Sequence, residues 1–509
     1  MTGEETIWID GEKLNTCEVV SVARGDRPVR ISPSARDKVI ASRRTLQAVL
    51  EDPQSSVYGV NTGFGRLLNE RISEAQSQQL QENLILSHSA GVGEPFDRET
   101  VRAAMILRAN SLAKGHSGVR PTIVDTLLSM LNSRVHPIVP SRGSLGASGD
   151  LAPLAHIAAV MLGKGEAEYG GETLPGAEAM SRAGIETVEL QAKEGLALIN
   201  GTQVSCGLVC LAAYDAAHLV KVSDLVGALT FFMLNGNVEE FSESIQSARP
   251  HKGQAVSAFN LRRILSGEKG VPKDSVQDAY SLRCMPQVHG AARQALDHVL
   301  SVLQVEMNAA TDNPLVFPEQ GVVLSGGNFH GEPLALVADY LKLAMAEQGS
   351  ISERRTNRLL NPDLNGGLPA FLVDDPGLNS GYMLAQYTAA SLVAENKVLA
   401  HPSSVDSIPV SADQEDHVSM SMNAAMHLRR VLSNLGYVLG VELLCACQAG
   451  EYVKRSFPKA VDKAYTLVRT RIPAMKGDVE VHPRIQVARD LVWGKELVEC
   501  VVDVVGELE

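Results

Sequence analysis

Apolar residues in this chain recur mainly every three to four positions, the spacing that puts them on one face of an α-helix. On that pattern helices are predicted from Ser32-Pro33 towards Leu50, and over Glu74 to His88, Arg98 to Lys114, Thr122 to Ser133, Leu151 to Leu162 and Gly195 to about Met233. The pattern resumes over Val288 to Ala310, Glu332 to Leu360, Ser380 to Leu399, Glu415 to Val453, Lys459 to Ile472 and Val487 to Gly506. Ser32 reads as a cap with Pro33 in the first turn, and a stop is expected near Asp52-Pro53. Strict alternation is confined to Thr6 to Val22 around Asp10-Gly11, which predicts a small N-terminal β-hairpin. The expected fold is mainly all-α: a long central helical bundle with that hairpin and an active-site loop region. Many of the helices exceed the usual roughly three to four turns and carry few charged faces, so they need neighbours on several sides, including helices of other subunits.

The chain shows no internal repeat, heptad array or low-complexity linker. Glycine-bearing loops at Lys164 to Thr173 and Gly267 to Lys273 are candidate boundaries. They do not demand independent domains, and the organisation expected is an N-terminal region, 1–195, that carries the loops described below, a long-helix bundle, 196–455, and a C-terminal helical section, 456–509.

Composition narrows the field. At 509 residues, with 45% hydrophobic and 21% charged residues, the chain can bury a large core. A net charge of −13 without any Lys/Arg run argues against nucleic acid as a partner. The most apolar long segment, Ser205 to Leu234, contains Asp215, His218, Lys221 and Asp224, which are costly in lipid, so it reads as a buried helix and no membrane partner is expected. The acidic start, Met-Thr-Gly-Glu-Glu-Thr, lacks the basic and apolar parts of a signal peptide, which points to the cytoplasm. Seven scattered cysteines fit reduced thiols, and Cys445-Ala446-Cys447 has no second pair at zinc spacing, so no metal is expected.

Packing explains one stretch poorly: Gly143-Ser144-Leu145-Gly146-Ala147-Ser148-Gly149-Asp150-Leu151-Ala152-Pro153-Leu154-Ala155-His156. Ser148 or Asp150 could cap the helix that follows. The order Ala-Ser-Gly permits more. In a sharp bend the Gly149 amide nitrogen can reach the Ala147 carbonyl carbon, since glycine lacks the Cβ that would clash. Loss of water closes a five-membered ring, and dehydration of Ser148 leaves a conjugated exocyclic methylene, an electrophile no ordinary side chain provides.

The whole run closely resembles the signature of the ammonia-lyases and aminomutases for histidine, phenylalanine and tyrosine, which carry a 4-methylideneimidazol-5-one (MIO) group. That resemblance implies an MIO formed autocatalytically from Ala147, Ser148 and Gly149, and a homotetramer with active sites shared between subunits. It also gives roles to residues that taken alone read as turns, caps or salt bridges. Tyr58, in Val57-Tyr58-Gly59-Val60-Asn61-Thr62-Gly63-Phe64-Gly65, matches the family's catalytic base. A phenol titrates near pH 10, so the site is expected to lower that value through dipoles or cations. Arg283, in the run Gln277 to Gln287, is suited to bidentate carboxylate binding, and the family match adds Gln277 and Tyr280 to the pocket, Tyr280 assisting the MIO group or proton transfer. Asn200, in Leu198 to Gln203, and Phe329, in Gly326 to Pro333, match the family's pocket asparagine and phenylalanine.

Two positions sort the substrate. Ser87-His88 is the pair typical of the family's histidine branch, where phenylalanine lyases usually carry Phe-Leu and tyrosine lyases His-Leu. Glu415, in Ser411 to Met420, matches the acidic residue that histidine lyases hold near the imidazole. A carboxylate can pair with an imidazole nitrogen, whereas a phenyl ring would leave the charge desolvated and unpaired. The implied reaction is elimination of ammonia from L-histidine to give trans-urocanate, the first step of histidine breakdown; the alternatives are tyrosine or phenylalanine elimination, or a 2,3-aminomutase outcome. A metal hydrolase built on Glu415-Asp416-His417 is disfavoured, because three consecutive side chains on a helix fan apart. The Gly-Ser-Ser-x-Met-Pro loop of the fumarase and aspartase group is absent. A noncatalytic helical scaffold is the remaining alternative.

Overall fold

The computed structural model describes residues 6–52, 56–67, 69–268 and 276–509, the side chains of residues 74 and 75 apart. Pro53 of the expected helix stop, most of the Gly267 to Lys273 loop and residues 1–5 lie outside this set. The protein divides into two compact units, each assembled from three separated stretches: 1–214, 299–339 and 402–426 in the first, and 215–298, 340–401 and 427–509 in the second.

In the first unit the helix Arg98–Ala113 is buried along nearly its whole length and packs against Thr16–Gly25 and Pro121–Asn132. Beside this core the helices Glu74–His88, Leu151–Met161 and Glu194–Ile199 pack on one another as a triplet. The triplet positions the site, because His88 ends the first helix, the Ala147-Ser148-Gly149 loop enters the second and Asn200 ends the third. In the second unit, buried charges are matched: Arg355 pairs with Glu442 at 2.6 Å, and Thr230 and Ser352 donate to the same carboxylate. Asp224 likewise accepts from His289 (2.7 Å), Arg293 (2.6 Å) and Asn260 (2.9 Å). Buried ions are tolerated only when partnered in this way.

The mainly helical class agrees with the periodicity, and Pro33–Leu50 and Glu332–Leu360 form where it predicts them. The Ser32 cap is also present, accepting from the Ala35 amide. Gln203–Met233 and Ser421–Gly450 are long and apolar enough to cross a membrane, but 83% and 89% of their apolar windows are buried within the fold, which makes them core helices.

Several elements differ. No hairpin forms at Asp10-Gly11; Ile7–Ile9 pairs in parallel with Val29–Ile31, across an intervening helix, Thr16–Gly25. Asn15 and Glu18 form a reciprocal capping box, and Val19, Val20, Val22 and Ala23 are the buried side of that helix. The run of valines resembles a strand only until its burial is known. Gly11 sits at φ +79, where an added Cβ would lie 2.6 Å from Lys114 Cα. The segment Gly195 to Met233 is two helices broken at Asn200 to Thr202, because the Gly201 backbone leaves the helix to pair with Gly149. Val487 to Gly506 is likewise split by extended Gly494 into His482–Trp493 and Glu496–Val505. Lys252–Ile264 forms a helix that the periodicity did not single out, and the Lys164 to Thr173 loop is mostly a hairpin, Glu166–Tyr169 with Glu172–Pro175, turning at Gly170 and Gly171.

Candidate active site

A cavity of about 1190 Å³ opens in the first unit, lined by Tyr58, His88, Ala147, Ser148, Asn200, Phe329 and Glu415 among others. Seven of the residues singled out from sequence therefore surround one space. Gly149, the next residue along the chain, sits at φ +75, and an added Cβ there would stand 2.2 Å from the Gly201 carbonyl oxygen. Only glycine is accommodated at this place. The Asp150 amide donates to the same oxygen at 2.6 Å, so the loop is drawn against the Asn200–Thr202 break.

Asp150 stands at the start of the Leu151–Met161 helix but makes no side-chain cap. Its fully buried carboxylate accepts instead from Ser144 Oγ (2.9 Å), the Ser205 amide (2.7 Å) and Ser205 Oγ (2.7 Å). Burial raises its pKa, and these donors oppose the rise. From the other side, Ser419 Oγ donates to the Gly146 carbonyl at 2.9 Å, the Met420 amide to the Leu145 carbonyl at 2.8 Å, and Ala147 packs with Val418 and Met420. The bend over Ala147 to Gly149 is thus clamped at both ends while Ala147 and Ser148 still line the cavity. This arrangement fits ring closure: the residues are small, the third is a glycine in the left-handed region, and the serine faces open space.

Tyr58 is held by its loop. Its Oη accepts from the Gly65 amide at 2.9 Å, and its ring meets Phe64 edge-on at 6.3 Å. Behind it, buried Gln81 donates to the Gly59 carbonyl (3.1 Å) and accepts from the Leu196 amide (3.2 Å), tying the loop to two helices. The expected lowering of the Tyr58 pKa is not what this chain produces. Burial pushes the phenol above its ordinary value, the Gly65 N–H opposes, and the negative charge of Glu415 raises it further. Among the described residues no cation reverses the balance, so the phenol stays neutral in this setting.

His88 closes its helix, with Ser87 Oγ 3.1 Å from Nδ1, and burial lowers its pKa, keeping the imidazole neutral. Asn200 donates through Nδ2 to the Asn313 carbonyl at 3.0 Å, which leaves its buried Oδ1 without a partner among the described residues. A buried acceptor in that state favours a donor arriving in the cavity. Phe329 lies on the loop before the Glu332–Leu360 helix. Glu415 is not in a helical turn as the sequence suggested. It closes a tight turn by pairing with Val410 in both directions, 3.3 and 3.0 Å, and the helix begins only at Ser421. Glu415, Asp416 and His417 therefore do not fan around a helical turn, as the periodicity had them do.

Gln277, Tyr280 and Arg283 belong to the second unit and are not among the cavity's lining residues. Gln277 is exposed, Tyr280 is 71% exposed, and the Arg283 guanidinium lies 4.8 Å over the Tyr280 ring. Lining residues that carry chemistry, notably Asn83 and His330, and the positioning residue Gln81 were not singled out from sequence, while Asp150 was read only as a cap and His417 only as part of a disfavoured metal set. His330 and His417 lay inside runs already singled out, but nothing local said that they meet.

The sequence profile of the aromatic amino acid lyases matches residues 14–470. The chain is 52% identical over 491 residues to the histidine ammonia-lyase of Caldanaerobacter subterraneus subsp. tengcongensis, covering 96% of each chain. Among solved structures, histidine ammonia-lyase from Trypanosoma cruzi aligns with a TM-score of 0.92 at 39% identity, over 98% of this chain and 96% of that one. Tyrosine aminomutase from Streptomyces globisporus aligns with a TM-score of 0.94 at 36% identity, over 99% and 100%. With a matched profile spanning most of its length and relatives this similar from end to end, the chain belongs to the aromatic amino acid lyase family.

Proposed function

We propose that the protein eliminates ammonia from L-histidine to give trans-urocanate, in the cytoplasm, using an MIO group formed from Ala147, Ser148 and Gly149. The observation that carries this reading is the meeting of Ser148, Tyr58, His88 and Glu415 around one cavity in a chain about half identical to curated histidine ammonia-lyases over its whole length. Once formed, the ring would supply an electrophilic methylene that makes the amine a competent leaving group.

The remaining chemistry falls to the chain's own side chains. Glu415 and neutral His88 offer an acceptor and a nitrogen partner to an imidazole, and a phenyl ring in the same place would leave the carboxylate desolvated. Asn200 Oδ1, without a partner among the described residues, is an acceptor for an N–H of the substrate. Tyr58 takes the β-proton. Because burial and Glu415 hold its phenol high, the base form requires a cation nearby. The substrate ammonium is one. Arg283 is the second candidate, in the role of carboxylate clamp with Gln277 and Tyr280, brought to the cavity from another copy in a homotetramer with shared sites.

Purified protein incubated separately with L-histidine, L-tyrosine and L-phenylalanine, followed by ultraviolet absorbance and ammonia release, tests the proposal. Urocanate from histidine alone, lost in Ser148→Ala, is the expected outcome. Cinnamate or coumarate would overturn the roles of His88 and Glu415, a β-amino acid would indicate aminomutase chemistry, and inactivity towards all three would restore the scaffold reading.

A further inference from the structure

We propose that Lys193 is a positioning residue for the elimination, acting on the cavity through Asp312, Asn313 and Asn200. This role rests on the reading of Asn200 as a substrate contact. Lys193 is not among the cavity's lining residues; it is fully buried, and its Nζ donates to Asp312 Oδ2 at 2.7 Å. The other carboxylate oxygen, Oδ1, accepts from the Asn313 amide at 2.7 Å. Asn313 in turn accepts from Asn200 Nδ2 at its carbonyl (3.0 Å) and from the Gly326 amide at its side-chain Oδ1 (2.8 Å). Asn200, Asn313 and Gly326 all line the cavity, so the ammonium stands three hydrogen bonds from the asparagine that meets the substrate.

This relay decides which atom of Asn200 stays available. An amide offers one oxygen and two N–H groups, and a carbonyl opposite it is met only by the nitrogen. With Nδ2 committed to Asn313, the oxygen is left over, and Oδ1 is the buried acceptor without a partner among the described residues. A shift of the Asn313 carbonyl would release the amide to turn, and the acceptor offered to a substrate N–H would be lost. Lys193 also acts through the backbone. It immediately precedes the helix Glu194–Ile199, which ends at Asn200, and its carbonyl accepts from the Ala197 amide at 2.8 Å.

Two features mark the ammonium, rather than bulk, as what this position requires. Lys193 lies at φ 76, ψ −26, in the left-handed region, where a side chain is strained and glycine would sit at less cost. A fully buried lysine is itself unfavourable: burial and the neighbouring Arg108 both work against its charge, and the Asp312 carboxylate favours both cations. A neutral residue would serve packing better. A cation kept in a strained and dry place has a task beyond filling space, and here it ties the Asp312 carboxylate to the Asn313 amide.

A double-mutant cycle on the full chain tests the role. Lys193→Met keeps the stem and the strained backbone and removes the ammonium. Its kcat/KM should fall about 10- to 100-fold, the scale on which a misplacement of about 1 Å is felt. In Asn200→Ala, adding Lys193→Met should cost less than about twofold, because its route to the substrate is already cut. Lys193→Met combined with Asp312→Asn removes both buried charges, so the thermal midpoint should recover while kcat/KM stays low. Should Lys193→Met alone fail to fold, this neutral pair carries the cycle. Intact mass should show both waters lost in every variant. Unaltered kcat/KM, equal fold-losses in the two backgrounds, recovery of kcat/KM along with the midpoint, or an incomplete ring in Lys193→Met would each overturn the role. The cycle is run on whichever of L-histidine, L-tyrosine and L-phenylalanine the protein consumes, so a mistaken substrate is told apart from a failure of the relay. For a protein inactive towards all three, hydrogen exchange of peptides 196–202 and 311–316 still judges the anchoring. Faster exchange confined to them in Lys193→Met supports it, and unaltered protection overturns it.

Discussion

Gly201→Ala probes the loop geometry without altering any residue of the proposed ring. A Cβ at this position would stand 2.3 Å from Arg108 Nη1, 2.4 Å from the Thr311 carbonyl oxygen and 2.5 Å from Gln203 Oε1. The first and third belong to a buried side-chain pair that already bond each other at 2.7 Å, and the second is backbone, so none can retreat freely. The substituted residue has to move instead, and it carries the carbonyl that accepts from the Asp150 amide and pairs with Gly149. Overpacking of this kind costs about 1–3 kcal/mol. If that strain is released by letting the bend over Ala147 to Gly149 relax, the closed conformer loses roughly 5–150-fold in population, and ring formation slows by the same factor. Intact-mass spectrometry reads the outcome, since each completed ring removes two waters from the chain. Freshly folded Gly201→Ala should show the sequence mass persisting long after the unsubstituted protein has lost both waters, together with a lower thermal midpoint. A complete mass deficit at the normal rate with an unchanged midpoint would refute the reasoning, because it would mean that the Gly201 contacts have slack and do not hold the bend.

Other outcomes follow from the same structure. Glu415→Gln removes a charge that faces the cavity, so kcat/KM for histidine should fall by an amount equivalent to about 1.5–3 kcal/mol, the worth of a hydrogen bond to a charged group. Because the Glu415 charge raises the Tyr58 pKa and the phenol acts in its base form, the acidic limb of the pH–rate profile should move to lower pH in this variant; a limb that stays put would remove Tyr58 as the base. Asp312→Asn strands Lys193, whose ammonium is fully buried 2.7 Å from Asp312, and should destabilise the fold by about 3–5 kcal/mol, read as a fall in thermal midpoint. His136 is held down to about 4 in the folded chain against about 6.5 unfolded, chiefly by burial, so the unfolded state binds more protons between those values and stability should fall as pH drops from about 6.5 towards 4. The loss should be smaller in His136→Gln, measured as the difference in thermal midpoint between pH 7 and pH 5.

The sequence by itself determined what depends on neighbours along the chain. A helix such as Glu332–Leu360 is legible because its burial repeats with the helical period, and the Ser32 cap because its chemistry reaches only three residues ahead. The site loops were legible for a similar reason: Ala147-Ser148-Gly149 and the Tyr58 loop each carry their chemistry in one contiguous run. Tertiary structure decided whatever depends on partners distant in sequence. Ile7–Ile9 found Val29–Ile31 rather than its neighbour, Gly201 broke a helix to meet Gly149, and the Asp150 carboxylate turned from its own helix end to Ser144 and Ser205. It also placed Glu415 against Tyr58, which raises a pKa expected to fall, and brought His330 and Glu332 to His417. Local patterns report backbone propensity and the face a residue presents, whereas pairing, burial and electrostatic environment are properties of groups that meet only once the chain has folded.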